Sequence, residues 1–378
     1  MRILALNAGS SSLKWTLLDG ASRATLQSSN EAWRGADLAA RESQVREVVR
    51  AAPAFDVAGH RLVYGDVRFG IATEVGPDQR AALEIMAELD PTHIRPALDG
   101  IDAVRAAFPS TPQFAAFDTA FHATMPEAAA GYALPSEWSR QFGLRRYGFH
   151  GLSVAHAVKR ARALLGGLPR RLIVFHLGSG CSVTAVEDGR SVDTTMGFTP
   201  LEGVMMGTRS GSVDPGLVLH LILRRGLSPD EVLDGLLHRS GLLGVSGVSG
   251  DVREVLAAAR AGSAPARLAF DRFAWSLRRA AGAMCAALGG VDAVVFTGGI
   301  GENSREVRGE TANGLAFAGL ALDEDATPSG AEDRVISARD SRVHALVVRA
   351  REDLALLDQV LRLLDARRSA GDELFAAE

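Results

Sequence analysis

Residues 173–183, Ile-Val-Phe-His-Leu-Gly-Ser-Gly-Cys-Ser-Val, decide the fold of this chain. An apolar run typical of a buried strand ends in a turn of Gly178, Ser179 and Gly180, and a second apolar run follows it. Glycine lets the main chain approach a ligand closely, so such a turn presents backbone N–H groups and hydroxyls to an anion. The stretch predicts a hairpin of two strands that cradles phosphate.

The same pattern occurs near the start of the sequence, where residues 3–13 read Ile-Leu-Ala-Leu-Asn-Ala-Gly-Ser-Ser-Ser-Leu. Gly9 and Gly178 lie 169 positions apart, and so do Asp19 and Asp188. A hairpin repeated at a fixed offset indicates an internal duplication. We therefore predict two similar α/β domains that face one nucleotide between them.

Length and composition restrict the class of protein. A chain of 378 residues corresponds to about two domains, and a net charge of −4 gives no reason to expect a nucleic acid or an anionic membrane as partner. With only Cys181 and Cys285, a disulfide framework is excluded and a reducing compartment is favoured. The start lacks a signal-peptide pattern, and no uncharged apolar run reaches the roughly 20 residues of a membrane helix. We predict a soluble, cytoplasmic α/β protein.

Several polar residues stand where strands end. Arg61 closes a strand after Gly59, and Asp118 follows the apolar run 114–117. Loops at strand ends often carry chemistry in α/β proteins, although Arg61 could also be a surface charge and Asp118 a helix N-cap. Arg61 and Arg209 both have glycines nearby, so we expect neither to support a helix or the core, and their replacement to leave folding nearly intact.

The periodicity also predicts the main helices. A proline-punctuated loop over 89–96 precedes a helix over 97–108, and a long helix covers about 266–288. A last helix runs from 352 to about 364 and is followed by a flexible Ala/Gly tail. The glycine-rich turn 298–303 between a strand and a helix is a nucleotide signal, but it does not fit the dinucleotide pattern G-x-G-x-x-G.

Six segments together resemble the acetate kinase family. They are residues 7–14, 117–122, 146–151, 193–203, 206–211 and 296–304. The resemblance implies an actin-like (ribonuclease H-like) duplicated two-domain α/β fold with a nucleotide cleft between the domains. We predict an N-terminal domain of residues 1–150 plus 354–378, which carries the acyl-substrate side, and a second domain of residues 151–353, which carries the nucleotide-binding loops.

The resemblance also implies an activity. It is the reversible, Mg²⁺-dependent transfer of the γ-phosphate of ATP to acetate, giving acetyl phosphate and ADP by direct in-line transfer, in a homodimer. ATP and ADP are co-substrates, and Mn²⁺ is an alternative ion. Two other readings stay open: a kinase for propionate or another short-chain fatty acid, and a catalytically silent nucleotide-binding regulator on the same scaffold. The presence of Arg61, Asp118, His150 and Arg209 argues against the regulator.

Residue roles follow from the same resemblance. The catalytic positions are those of Asp118, His150 and Arg209, the acyl-substrate position is that of Arg61, and the metal positions are those of Asn7 and Glu352. Because a carboxylate is already a nucleophile at pH 7, we expect Asp118 to orient Arg61 or a magnesium-bound water rather than act as a strong base. The nucleotide positions are those of Lys14, His176, Leu177, Gly178, Ser179, Gly180, Asp251, Val252, Arg253, Gly299, Ile300, Gly301, Glu302 and Asn303.

The chain departs from the family pattern at a few places. Ser179 replaces an Asn in the glycine turn, and Ile94-Arg95 replaces Asn-Pro after His93. Other departures are Leu152 and Val154 after His150-Gly151, Ser212 in place of Asp, and Arg349-Ala350-Arg351 in place of Pro-Thr-Asn ahead of Glu352.

Overall fold

The structure is a computed structural model that describes residues 1–8, 12–34, 38–65, 72–87, 91–323 and 332–375. Gly9, Ser10 and Ser11 of the predicted first turn lie outside the described residues, as do Leu89 and Asp90. The strands, in chain order, are β1 Arg2–Ala8, β2 Ser12–Asp19, β3 Thr25–Ala32, β4 Val57–Leu62, β5 Ala72–Glu74, β6 Gln113–Phe117, β7 Arg171–Leu177, β8 Cys181–Glu187, β9 Arg190–Thr194, β10 Ala293–Thr297, β11 Arg334–Val335 and β12 His344–Val347. The α-helices are α1 Leu38–Ala51, α2 Pro77–Met86, α3 Pro91–Ala107, α4 Glu127–Ala130, α5 Ser136–Phe142, α6 Gly151–Leu165, α7 Pro215–Arg225, α8 Pro229–His238, α9 Gly241–Ser246, α10 Val252–Arg260, α11 Ala264–Leu288, α12 Gly298–Asn303, α13 Arg305–Asn313 and α14 Glu352–Phe375.

The chain forms two compact units. Unit 1 comprises Met1–Ala123 and Arg351–Glu378, and unit 2 comprises Thr124–Ala350. Residues 124–150 therefore belong to unit 2, where Tyr132 donates a hydrogen bond to Glu202. The domain bounds predicted from the sequence place these residues with the first domain, and those bounds stay a prediction.

Among the described residues, each unit contains one mixed sheet of six strands. In unit 1 the strand order is β3-β2-β1-β4-β6-β5, with β1, β4 and β6 parallel and β2, β3 and β5 antiparallel to their neighbours. In unit 2 it is β9-β8-β7-β10-β12-β11, with the same pattern of directions. The two sheets therefore share one topology, which confirms the predicted duplicated α/β fold.

Helices cover the sheets with apolar faces that the sequence pattern predicts. In unit 1, Val45, Val48 and Val49 of α1 are buried against Leu4 and Leu6 of β1 in one core cluster. In unit 2, α11 begins at a Ser263 cap, whose hydroxyl accepts a hydrogen bond from the Ala266 amide, and buries Phe270 and Phe273. Burying side chains of this size contributes about 1.5–3 kcal/mol each, so these helices fix the strands that position the site.

Two predictions about helix bounds were wrong. Helix α3 begins at Pro91 and includes Pro96, where we expected a loop. Proline fits the first turn of a helix, and the burial of Ile94, Leu98 and Ile101 favours helix along the whole segment. Helix α14 continues to Phe375 instead of ending near Leu364 before a flexible tail. Among the described residues, no helix combines the length and the apolar character that crossing a membrane requires.

Candidate active site

The predicted acyl-substrate and metal residues gather at one edge of the unit 1 sheet. Asn7 lies near the end of β1, Arg61 near the end of β4 and Asp118 directly after β6. These three strands are parallel neighbours, so their carboxyl ends meet at the same edge, where ligands bind in open α/β sheets. Glu352, the first residue of α14, joins them although it is 345 positions from Asn7.

Arg61 is the centre of this group. Its Nε lies 3.0 Å from Asp118 Oδ1 and its Nη2 lies 2.5 Å from Asp118 Oδ2, a bidentate ion pair. The other terminal nitrogen, Nη1, donates to Asn7 Oδ1 at 2.9 Å, and Nε lies 3.2 Å from Glu352 Oε2. Asn7 Nδ2 completes the group by donating to Glu352 Oε2 at 3.3 Å. We refer to Asn7, Arg61, Asp118 and Glu352 as the arginine cluster.

Burial makes the charges of the arginine cluster important. The side chains of Arg61 and Asp118 are only 14% and 1% exposed. Burial opposes the charge of the guanidinium, but the carboxylates of Asp118 and Glu352 outweigh burial and raise the pKa of Arg61. The cluster holds two carboxylates and one guanidinium. Its net charge is therefore negative, and a bound cation would compensate it.

Lys14 is the remaining predicted nucleotide residue of unit 1. It lies on β2, where it is the cross-strand neighbour of Asn7, and its side chain is exposed. The hairpin register therefore brings Lys14 to the same end of the sheet as the arginine cluster.

In unit 2, the predicted phosphate turn lies at the end of β7. Gly178 N donates to Gly180 O at 3.0 Å, which closes the turn, and Ser179 O accepts from Gly207 N at 3.2 Å. The Ser179 side chain is exposed, so the replacement of the family's Asn changes the outer surface and leaves this backbone contact in place. A Cβ on Gly180 would lie 3.3 Å from Arg209 Nη1 and 3.6 Å from His150 Nε2. Gly180 is therefore the position where the turn, Arg209 and His150 approach one another.

His150 and His176 form a stacked pair. Their ring centroids are 4.0 Å apart and their planes differ by 23°. Each ring is oriented through Nδ1: His150 shares a hydrogen bond of 3.0 Å with Ser182 Oγ, and His176 shares one of 2.8 Å with Ser153 Oγ. His150 precedes α6 with a φ of 61°, in the left-handed region that is uncommon for residues other than glycine.

Arg209 is held from the loop that precedes it. Its Nη1 donates to Pro200 O at 3.2 Å. Two residues after Pro200, Glu202 accepts hydrogen bonds from Tyr132 at 2.5 Å and from Arg146 Nη2 at 2.8 Å. Burial, together with the Glu202 carboxylate, raises the pKa of Tyr132 to about 12, so Tyr132 remains a hydrogen-bond donor at neutral pH.

The other nucleotide positions lie on two helix starts. Asp251 is the N-cap of α10 and accepts from Arg253 N at 2.8 Å, while the Arg253 side chain pairs with the same carboxylate and lowers its pKa. Val252 is buried behind them. Helix α12 contains Gly299–Asn303, and its first residue, Gly298, packs on the backbone of Leu177 at the end of β7.

The structure thus brings Asn7, Arg61, Asp118 and Glu352 together in unit 1, and His150, His176, Arg209 and the glycine turn together in unit 2. Sequence reasoning missed Ser153, Ser182 and Glu202, which contact site residues or the loop that holds Arg209. A signal existed for Ser182, because the antiparallel register of the central hairpin places it opposite His176. No local pattern distinguishes Ser153 or Glu202.

The fold and the two residue groups define a class, a phosphotransferase with a duplicated actin-like architecture. A glycine turn next to histidine and arginine suits a reaction that depends on positioning and cations.

Comparisons with known proteins specify the family. The acetokinase family model matches residues 28–358. Over 404 aligned residues the chain is 39% identical to the acetate kinase of Nostoc punctiforme, with 96% of this chain and 100% of that protein covered. The chain resembles the crystal structure of Porphyromonas gingivalis acetate kinase with a TM-score of 0.87 and 34% identity, covering 96% and 99% of the two chains. It resembles that of a Francisella tularensis propionate kinase with a TM-score of 0.85 and 33% identity, covering 94% and 98%. The chain belongs to the acetokinase family and is therefore a kinase.

Proposed function

We propose that this protein transfers the γ-phosphoryl group of ATP to acetate, reversibly, to give acetyl phosphate and ADP. The arginine cluster is the observation that carries the proposal, in a chain of the acetokinase family. A guanidinium has five N–H donors, and the hydrogen bonds of Arg61 to Asp118 and Asn7 use three of them. One N–H on each terminal nitrogen is left for a substrate carboxylate, which arginine binds in a bidentate fashion.

Different residues serve different parts of an in-line phosphoryl transfer. Acetate is ionised at neutral pH, since carboxyl groups have pKa values near 4, so no residue has to remove a proton from the nucleophile. Asp118 holds the plane of Arg61 through two hydrogen bonds. In unit 2, Arg209 and His150 stabilise the negative charge on the transferred phosphoryl group, and the turn Gly178–Gly180 binds the phosphates through its backbone.

The arginine cluster also fits a hard divalent cation. Its oxygen donors and its surplus negative charge are those that Mg²⁺ prefers. Within the described residues, no group of three or more His, Cys, Asp or Glu side chains could hold a metal by itself. Mg²⁺ does not need one, because it commonly binds through one or two protein groups, waters and substrate phosphates. We propose that Asn7 and Glu352 hold it, with Mn²⁺ as a substitute; bound there, it would neutralise charge on the ATP phosphates.

The test is the production of acyl phosphate. The purified chain is incubated with ATP, MgCl₂ and acetate, hydroxylamine converts any acetyl phosphate to acetohydroxamate, and ferric ion added afterwards gives a coloured complex with the hydroxamate. We expect hydroxamate that depends on acetate and is abolished by EDTA. An absence of hydroxamate from a folded chain that binds ATP would contradict the proposal and favour a silent regulator.

A propionate kinase is the second candidate, because the similar structure from Francisella tularensis is named a propionate kinase. We expect acetate and propionate both to be accepted, since one methylene changes discrimination by only ~1–3 kcal/mol. Values of kcat/KM for acetate, propionate and butyrate decide the point. A value higher for propionate than for acetate would transfer the assignment to the second candidate, and a preference for butyrate would contradict both.

We also propose that the protein is a cytoplasmic homodimer. Helix α7 has no buried residue, and Leu219 and Leu223, one turn apart on the same face, are 55% and 72% exposed. An exposed apolar patch of this kind marks an interaction surface, and a second copy would cover it. Free thiols at Cys181 and Cys285 support a reducing compartment. Light scattering should give twice the chain mass, and Leu223→Asp should give the monomer; a monomeric wild-type protein would contradict this proposal.

A further inference from the structure

Arg308 is a buried arginine that the proposed reaction does not use. It lies on α13, its residue is 1% exposed, and it is the largest fully buried side chain of the described residues. Arginine is rarely buried without a specific reason, because removing a charge from water is costly. Burial lowers the pKa of Arg308 to about 10, so the side chain still carries its charge at neutral pH.

The guanidinium of Arg308 contacts the last turn of the short helix α12. Its Nη1 donates to Gly301 O at 2.9 Å and to Glu302 O at 2.8 Å. Carbonyls in the last turn of a helix have no partner within the helix, and a cation is favourable at that end. Arg308 therefore satisfies two carbonyls of a helix that is only six residues long.

The two faces of α12 differ. On the inner face, a Cβ on Gly298 would lie 2.7 Å from Leu177 O, and one on Gly301 would lie 3.4 Å from the backbone of Phe296. On the outer face, Gly299 is exposed and a Cβ there would meet nothing within 4 Å. Asn303 shares this outer face, and its Nδ2 donates to Gly299 O at 2.9 Å. The packed inner face is the one that Arg308 holds, and the open outer face is the one that a ligand can approach.

We propose that Arg308 is a positioning residue for ATP, because it fixes the last turn of α12 and so the backbone that Gly299–Asn303 present to the nucleotide. The inference rests on the proposed kinase function. A six-residue helix does not hold its shape in water by its own hydrogen bonds. Without Arg308 the two carbonyls lose their donor, the last turn unwinds, and nucleotide affinity falls while the arginine cluster of unit 1 is unchanged.

The test compares Arg308→Met and Arg308→Lys with Arg305→Met, a matched substitution at an exposed position of the same helix. We expect Arg308→Met to raise the Kd and KM for ATP at least tenfold and to change the KM for acetate less than threefold. Arg308→Lys, which keeps a charged donor, should recover part of the ATP affinity, and Arg305→Met should behave as wild type. Hydrogen exchange should become faster in a peptide covering residues 299–304 and stay slow in one covering β10.

Two results would overturn the inference. One is an Arg308→Met protein whose Kd for ATP stays within twofold of wild type. The other is a parallel rise in the KM values of both substrates with faster exchange throughout unit 2, which would make Arg308 a general stability residue. If Arg308→Met does not fold, the Kd for ATP, the two KM values and the hydrogen exchange of Arg308→Lys are compared with those of the wild type instead. A wild-type protein that does not bind ATP would instead overturn the proposed function.

Discussion

Replacing Arg61 tests the arginine cluster most directly. Arg61→Met leaves the Asp118 carboxylate, 1% exposed, without its arginine partner. Removing one member of a buried ion pair typically costs about 3–5 kcal/mol. At about 2–4 °C per kcal/mol, the melting temperature of unit 1 should fall by roughly 6–20 °C. Arg61→Lys keeps the charge but loses the planar guanidinium with its two parallel N–H donors. It should therefore lower the free energy of unfolding by about 2 kcal/mol, the value of one charge-assisted hydrogen bond.

Activity should respond differently from stability. Both Arg61 variants should lose kcat by ~10³-fold or more in the hydroxamate assay, because a charge-stabilising arginine of this kind is worth that much. The double variant Arg61→Met with Asp118→Leu should recover most of the lost stability, since it removes both buried charges, but none of the activity. Arg23→Met is the control: its pair with Asp358 has an arginine that is 51% exposed, and it should cost less than about 1 kcal/mol.

The measurements are hydroxamate kinetics and thermal unfolding followed by circular dichroism. An Arg61→Lys protein with kcat within tenfold of wild type would refute the need for two parallel N–H bonds. An Arg61→Met protein that melts at the wild-type temperature would refute the argument from the buried pair.

Three further predictions concern other residues. Arg209→Ala, at a half-buried position, should reduce kcat by ~10³-fold with little change in melting temperature, and added guanidine should restore part of the activity; near-normal turnover would contradict its role. Glu202→Gln should weaken the support of the loop that carries Pro200 and reduce kcat ~10–100-fold by misplacing Arg209, with an unchanged KM for ATP; a change in that KM alone would contradict this. Burial lowers the pKa of His60 to about 4, below its ordinary 6.5, so its contribution to stability is present above pH 6.5 and is lost as the pH falls towards 4. Relative to His60→Gln, the free energy of unfolding of the wild type should fall by ~3 kcal/mol over this range. Urea unfolding at pH 7 and pH 4 measures it, and an equal change in the two proteins would contradict the prediction.

Much of the fold is predictable from the sequence because each hairpin is a local structure. The strand, turn and strand around Gly178 are close in the chain, and the offset to Gly9 identifies the second hairpin without any knowledge of long-range contacts. Local rules fail where burial outweighs them. Pro91 and Pro96 were interpreted as loop residues, yet the apolar face of α3 keeps both within a helix.

The site is less accessible to sequence reasoning because its contacts are distant in the chain. The chain departs from the family pattern directly ahead of Glu352, a predicted metal position, and only the fold places its Oε2 3.3 Å from Asn7 Nδ2. The expectation that Arg61 does not support the core also fails, because the sequence does not show that Asp118 is buried beside it. Arg308 was not noticed at all, since a buried arginine and an exposed one look alike in a sequence.

The division of unit 1 into two chain segments has a consequence for biosynthesis. Helix α14 packs directly on β4, where the Leu356 side chain occupies the space that a Cβ on Gly59 would need. Between these partners the ribosome must synthesise all of Thr124–Ala350, which form the uninterrupted unit 2. At about 5–20 residues per second this takes roughly 10–45 s. During that time the nascent chain carries the first sheet without α14 over it, so the arginine cluster, which needs Glu352, is completed only after the second sheet has had time to fold.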